Sequence, residues 1–199
     1  HNYNRNKIKT ILIAIPTDKY ISPETFKSIY DLEIPINYKI DFQYFYGYRI
    51  DQVRNLIADW GKKYDYLFAV DSDITFPKET LKRLLNANQD IISGLYIQRI
   101  EHTHELELYG EQGRIKYEDI KGKGVIEVEG CGFGCVLVNS RVLKKMEYPH
   151  FLYTHAIDHN ETYSEDYYFC SKAKMLGFKI FADTSILCKH IGEINFLVE

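Results

Sequence analysis

The sequence predicts an α/β protein: an open, mostly parallel sheet flanked by helices, with a small β-rich excursion in its second half. Three observations carry this expectation. Strand and helix patterns alternate from the start through residue 95, and helices between strands imply parallel crossovers. The run Tyr66 to Val70 is continuously apolar, as in a strand covered on both faces. From His102 to Glu129 charge and glycine rise, and short alternating pieces (Ile115 to Tyr117, Val125 to Glu129) replace the helices.

Each element has a local reason. Ile8 to Ile15 is rich in β-branched residues and stops at Pro16-Thr17, so it reads as a buried strand ending in a turn. Ser22-Pro23 supplies a cap and a proline at the first helical position. Tyr38 to Tyr46 reads as a second strand that ends near Gly47. Val53, Leu56, Ile57 and Trp60 recur at helical spacing, with Gly61 as the expected stop. After the strand at Tyr66 to Val70, Pro77 is expected to open a helix carrying Leu81, Leu84 and Leu85 on one face. Asp90 to Leu95 is the next strand, and Gly130 to Val138 an apolar strand with glycines nearby. A helix is expected from Ser140 and another from about Tyr163 to Leu176, ended by Gly177. Phe178 to Asp183 reads as the last strand. No repeat or linker interrupts the chain, so residues 1–199 are expected to form a single domain.

Composition excludes several function classes. Hydrophobic residues make up 45% and charged residues 27%, which is globular composition. A net charge of −3 and a pI near 6.2 offer no basic surface for nucleic acid, so no nucleic acid partner is expected. The apolar runs are far too short to span a bilayer, and no basic-then-apolar leader precedes them. Cys131, Cys135, Cys170 and Cys188 fit no zinc spacing and are expected as buried thiols in a reducing, cytoplasmic location. The chain begins at His1 rather than Met, so a longer parent protein carrying an anchor stays open. Seventeen tyrosines and eleven phenylalanines hint at sugar-binding surfaces, because a ring can cover a sugar's C–H face while its hydroxyl bonds to the sugar's own.

Two segments carry chemistry. In extended chain, residues i and i+2 point to one side, so Asp71 and Asp73 of Asp71-Ser72-Asp73 present two carboxylates together. They follow a buried strand, at the edge where open α/β sheets bind ligands. Paired carboxylates suit Mg²⁺ or Mn²⁺, while a solvated turn or a helix cap is the plainer alternative. In the second segment, Thr162 and Glu165 fit a capping box, which puts Glu165 and Asp166 in the first turn of a helix. The helix dipole favours anions there, and a carboxylate near its reference pKa of about 3.9 is ionised at neutral pH. Both acids could be cap decoration only. Yet Asp166, Phe169, Cys170 and Ala173 share a face, which aims the acid inward. His190 follows the last strand just before Gly192; it is either a structural histidine or a metal ligand.

Taken together these residues resemble the GT-A glycosyltransferases, in particular the inverting group related to family 2. The resemblance runs through Ala14-Ile-Pro-Thr17, Arg54-Asn55, Asp65 to Pro77, Gly94-Leu-Tyr96 and Gly130-Cys-Gly-Phe-Gly134. It continues in Ser164 to Cys170, Gly177-Phe-Lys-Ile180 and His190-Ile-Gly192, and so covers nearly the whole chain. It implies a GT-A fold and a metal-dependent, inverting transfer of a sugar, with Mn²⁺ or Mg²⁺ as cofactor. The implied donor is a nucleotide-diphosphate sugar, a UDP-hexose or deoxyhexose first and GDP-mannose behind it. The implied acceptor is a hydroxyl of a glycan or glycoprotein.

The resemblance also implies roles. Pro16 and Thr17 would form the wall for the base. Asp71 would bind the ribose or a metal-bound water, with Ser72 beside it among the substrate-binding residues, and Asp73 would ligate the metal. His190 would contact the metal or the diphosphate. Arg54 would brace the first Asp or the nucleotide, unless it is a surface ion pair. Gly132 and Gly134 would let the backbone approach the sugar. Glu165 would hydrogen-bond substrate hydroxyls, and Asp166 would be the catalytic base. A retaining transferase is the first rival, and a non-catalytic module that binds a nucleotide sugar or glycan is the rival from another class. A sugar nucleotidyltransferase fits less well, because the loop Pro16-Thr17-Asp18-Lys19 is poor in glycine. The chain is short for this resemblance, with no obvious acceptor-binding extension.

Overall fold

The structure, a computed structural model, describes residues 7–98, 105–155 and 162–192. In chain order its elements begin with β1 (Lys9–Thr17), α1 (Pro23–Tyr30), β2 (Tyr38–Tyr46), α2 (Ile50–Gly61), β3 (Tyr66–Val70), β4 (Ile74–Thr75), α3 (Thr80–Asn86) and β5 (Ile91–Leu95). The second half holds β6 (Glu105–Gly110), β7 (Gly113–Lys116), α4 (Tyr117–Ile120), β8 (Val125–Val128), β9 (Gly130–Cys131) and β10 (Cys135–Asn139). It closes with α5 (Ser140–Lys145), β11 (Thr154–His155), β12 (Thr162–Tyr163), α6 (Glu165–Met175), β13 (Ile180–Leu187) and β14 (Lys189–His190). The stretch expected to change character from His102 lies partly outside the described residues. No helix among the described residues is long and apolar enough to cross a membrane.

The central sheet runs β2-β1-β3-β10-β5-β13-β8. β1, β2, β3, β5 and β13 point one way, while β10 and β8 run antiparallel to their neighbours. The sheet is therefore mixed: its strands through residue 95 run parallel as expected, and the antiparallel strands come from the second half of the chain. β10 enters between β3 and β5, which the first half of the chain leaves apart. β8, expected within the β-rich excursion, joins the sheet's edge instead. The excursion itself is a small sheet ordered β7-β6-β9.

Both faces of the central sheet are buried, as its apolar strands require. Along β1, Leu12 and Ala14 enter one core layer, while Ile11, Ile13 and Ile15 enter the other. β3 divides likewise between Leu67 with Ala69 and Phe68 with Val70. The four cysteines are buried free thiols that lie in pairs: Cys170 hydrogen-bonds to the Cys131 carbonyl, and the Cys188 and Cys135 sulfurs both lie beside Gly94.

Four local expectations are revised. The expected strand from Gly130 to Val138 breaks at residues 132–134, where the chain leaves the small sheet for the large one. α3 begins at Thr80 rather than Pro77, which instead accepts the Thr80 N–H at 3.0 Å in a preceding turn. Gly61 is the last residue of α2 but not a left-handed cap; a Cβ there would come within 2.8 Å of Leu143 Cδ1, so the glycine permits close helix packing. α6 is capped by Ser164, which accepts the Tyr167 N–H at 3.3 Å, while Thr162 lies in β12. Gly177 does stop α6 with φ of 86°, the left-handed conformation that favours glycine.

Candidate active site

A cleft of about 540 Å³ opens beyond the carboxyl ends of β1 and β3. Three placements build it. β1 delivers Pro16 and Thr17 to its wall. The Thr17 hydroxyl donates to the Tyr20 carbonyl at 3.1 Å, and the Thr17 carbonyl accepts the Gly47 N–H at 3.1 Å, so this wall is held on both sides. β3 ends at Val70, and Asp71, Ser72 and Asp73 just beyond it all line the cleft. The Ser72 carbonyl also accepts the Ser22 N–H at 2.8 Å, which ties this turn to the cap of α1. Because β10 runs antiparallel, its entrance at Phe133 and Gly134 lies at the same edge; the Gly134 carbonyl accepts the Asp71 N–H at 3.1 Å.

Arg54, from the inner face of α2, sits at the centre and is only 4% exposed. Its Nη2 donates to Asp71 Oδ1 at 2.9 Å, and its Nε donates to Glu165 Oε1 at 3.1 Å. Asp166 Oδ1 is 3.3 Å from the same Nε. The guanidinium also lies over the Phe133 ring, 5.7 Å from its centre. Burial alone would lower the Arg54 pKa, but Asp71, Asp166 and Glu165 outweigh it and hold the cation charged. Its expected alternative, a pair at the surface, is not what the fold builds. Next to it, Asn55 accepts the N–H groups of His150 and Phe151 at 2.7 and 3.1 Å and so fixes the chain leading to Tyr153.

Glu165 and Asp166 open α6 and differ in their surroundings. Glu165 is 4% exposed and bonded to Arg54; burial and this carboxylate raise the Tyr153 pKa to about 12. Glu165 therefore orients neighbours more than it reaches outward. Asp166 Oδ2 accepts the Phe133 N–H at 3.1 Å, while Oδ1 is shut off from solvent beside Arg54. Burial pushes the Asp166 carboxyl well above the usual carboxylate range. Arg54 and the Phe133 N–H pull it down, and the charges of Glu165 and Asp71 add to the rise. The expectation of an ordinary carboxylate kept ionised by the helix dipole is thus corrected: three carboxylates share one guanidinium, and desolvation exceeds the dipole's help.

His190 reaches the cleft through a pairing of two very short strands. β14 pairs antiparallel with β4, setting His190 opposite Ile74, and the Ile191 N–H donates to the Asp73 carbonyl at 2.7 Å. His190 Nδ1 lies 3.0 Å from the Ile97 carbonyl, which fixes the tautomer with its proton on Nδ1. Nε2 then faces the side of Asp73, whose Oδ1 is 3.5 Å away. A backbone carbonyl that orients an imidazole in this way is the usual support of a metal-binding histidine. Among the described residues no three His, Cys, Asp or Glu side chains are gathered into a cation cage. His190 and Asp73 at the cleft edge are side chains that could hold a divalent ion.

Gly132 and Gly134 do not line the cleft. Tyr96 occupies the space above them: a Cβ on Gly132 would lie 2.1 Å from the Tyr96 hydroxyl, and one on Gly134 2.7 Å from Tyr96 Cζ. The Tyr96 hydroxyl accepts the Gly134 N–H at 3.0 Å, and its ring meets His190 edge-on at 5.7 Å. The glycines make room for a tyrosine that supports the histidine. Tyr96, Glu107, Tyr109, Arg114 and Tyr153 also line the cleft, and none was a candidate from sequence. For Glu107 and Tyr109 a signal existed: the alternation Glu105-Leu-Glu-Leu-Tyr109 places them on one face of a strand.

This fold is GT-A-like. Among solved structures, A197 from STIV superposes with a TM-score of 0.64 at 23% identity, over 96% of this chain and 94% of that one. GalNAc-T7, a glycosyltransferase solved with UDP, GalNAc and Mn²⁺, superposes with a TM-score of 0.61 at 9% identity, over 96% of this chain and 45% of its own. No family model and no curated protein matches the sequence.

Proposed function

We propose that this chain is a metal-dependent glycosyltransferase that moves a sugar from a nucleotide-diphosphate donor, a UDP-sugar first, to an acceptor hydroxyl with inversion. One observation carries the reading: Asp71, Asp73, His190, Glu165 and Asp166, drawn from separate parts of the chain, line one cleft, with Asp71, Glu165 and Asp166 around buried Arg54 and His190 beside Asp73. The likeness to a glycosyltransferase solved with UDP, GalNAc and Mn²⁺ supports it at the level of fold.

In this reading Pro16 and Thr17 wall the nucleobase, and Asp71 and Ser72 take the ribose side. Asp73 and His190 would hold Mn²⁺ or Mg²⁺, with Asp71 beside them. When bound, the ion supplies positive charge against the diphosphate as it leaves. Arg54 keeps Asp71 and the two acids of α6 in fixed relation. Asp166, whose side chain is 16% exposed, takes the acceptor's proton on its carboxylate. The acceptor oxygen bonds to the anomeric carbon on one face as the bond to the diphosphate breaks on the other. A raised pKa makes Asp166 a stronger base once ionised, which suits proton removal from a hydroxyl. Gly132 and Gly134 act indirectly, through Tyr96.

Calorimetric titration with UDP tests the reading, run in Mn²⁺ and in EDTA on the native protein and on Asp73→Ala. Binding is expected to need the ion and to be largely lost in Asp73→Ala. Equally tight binding in EDTA overturns the metal's role, and no UDP binding in either condition overturns the donor. NMR of the product anomer then separates inversion from retention.

A further inference from the structure

Beside the cleft lies a second cavity of about 430 Å³, and the two meet at Tyr109, Arg114 and Ser164. Ser164 is the cap of α6, two residues before Asp166, so the second cavity opens where the base stands. Its wall is aromatic. The Tyr163 and Tyr167 rings stack with centres 5.3 Å apart at 22°, and Tyr109 meets Tyr167 edge-on at 5.6 Å. Tyr163 is 38% exposed, so part of this array faces water. Around the rings stand two carboxylates, Glu111 and Glu129, and the guanidinium of Arg114.

We propose that this groove is the acceptor subsite, and that it takes a neutral pyranose ring of a glycan. The inference rests on the transferase reading above and adds to it the place and chemical class of the acceptor. A pyranose has a C–H face that loses little by leaving water for an aromatic ring. Its hydroxyls both donate and accept, which matches carboxylates on one side and a guanidinium on the other. Charge decides between neutral and acidic ligands. The Arg114 guanidinium already donates to Glu107 Oε2 at 2.7 Å, and Lys174 is paired with Glu129. An acidic sugar, a sulfate or a phosphate would face the Glu111 carboxylate, while Arg114 is already met by Glu107 and the Glu129 and Lys174 charges meet each other. The same argument turns away a nucleotide, although its base could stack.

Saturation-transfer NMR on the full chain with Mn²⁺ and UDP tests this, using the methyl glycosides of glucose, galactose and N-acetylglucosamine beside methyl glucuronide. At least one neutral glycoside is expected to bind, with saturation strongest on its C–H face and the glucuronide weaker. Tyr163→Ala is expected to weaken that glycoside roughly fivefold to tenfold, Tyr163→Phe to retain it, and neither to change the UDP titration. Absence of glycoside binding with intact UDP binding overturns the subsite and leaves the donor reading standing. Indifference to Tyr163→Ala, or preference for the glucuronide, overturns it as well. Glycoside binding that depends on Tyr163 without any UDP binding keeps the groove as a glycan site and removes the donor reading.

Discussion

Arg54 carries one positive charge among three carboxylates, at distances of 2.9, 3.1 and 3.3 Å from its nitrogens. Removing it leaves buried like charges facing one another. Arg54→Ala is expected to cost about 3–5 kcal/mol of stability, read as a lower urea midpoint. Arg54→Lys should recover only part of this, because a compact ammonium cannot fork between Asp71 and the acids of α6. Asp166 behaves oppositely. Its pKa is raised on folding, so the stability tied to its neutral form is whole below the ordinary carboxylate pKa and is lost as pH rises through the raised value. Asp166→Asn never ionises and escapes that loss. Its stability relative to the native protein should therefore improve from pH 5 to pH 8, while kcat falls by roughly 10² to 10⁴ and UDP affinity holds. Urea melts at the two pH values and turnover on an acceptor check both halves. Equal loss of stability at both pH values would recast Asp166 as an ordinary cap.

At the scale of elements, the start of α6 and the entrance of β10 form one unit. Ser164 caps the helix, Phe133 donates to Asp166, and Tyr96 fills the hollow over Gly132 and Gly134. Gly134→Ala would press a methyl group against the Tyr96 ring, whose hydroxyl accepts the Gly134 N–H. The expected result is a loss of about 1–3 kcal/mol by overpacking. Metal-dependent UDP binding should weaken in the same variant, because the Tyr96 ring also meets His190. Ser164→Ala provides the contrast: about 1 kcal/mol of stability from the lost cap, with UDP affinity unchanged. Denaturation and UDP titration of the pair show whether Tyr96 links the glycines to the histidine.

For the whole molecule, donor binding should appear as stability. A ligand that binds only the folded state at about a hundred times its Kd adds about 2.7 kcal/mol. In a chain of this size that is a rise in Tm of roughly 5–10 °C. UDP with Mn²⁺ is expected to give such a shift, and EDTA to cancel it. A shift from UDP that EDTA leaves intact would place donor binding on the protein's side chains alone. The cleft lies where β1 and β3 end and β10 begins, so the ligand would touch several elements of the central sheet at once.

Much of the fold was legible because local chemistry sets it. Ser22-Pro23 starts a helix, Gly177 stops one, and Tyr38–Tyr46 and Tyr66–Val70 are strands by their own side chains. The residues Asp71, Asp73, Glu165, Asp166 and His190 could be singled out as well, since each sits at the end of an element. Their relations could not. Whether β10 runs parallel or antiparallel depends on which strands flank it, and that choice brings the Phe133 N–H to Asp166. The pairing of β4 with β14 that brings His190 beside Asp73 is too short to leave a periodic pattern. The raised pKa of Asp166 comes from neighbours remote in sequence and from burial that only the assembled fold creates. Local propensity acts over a few residues along the chain, whereas desolvation and charge act through space.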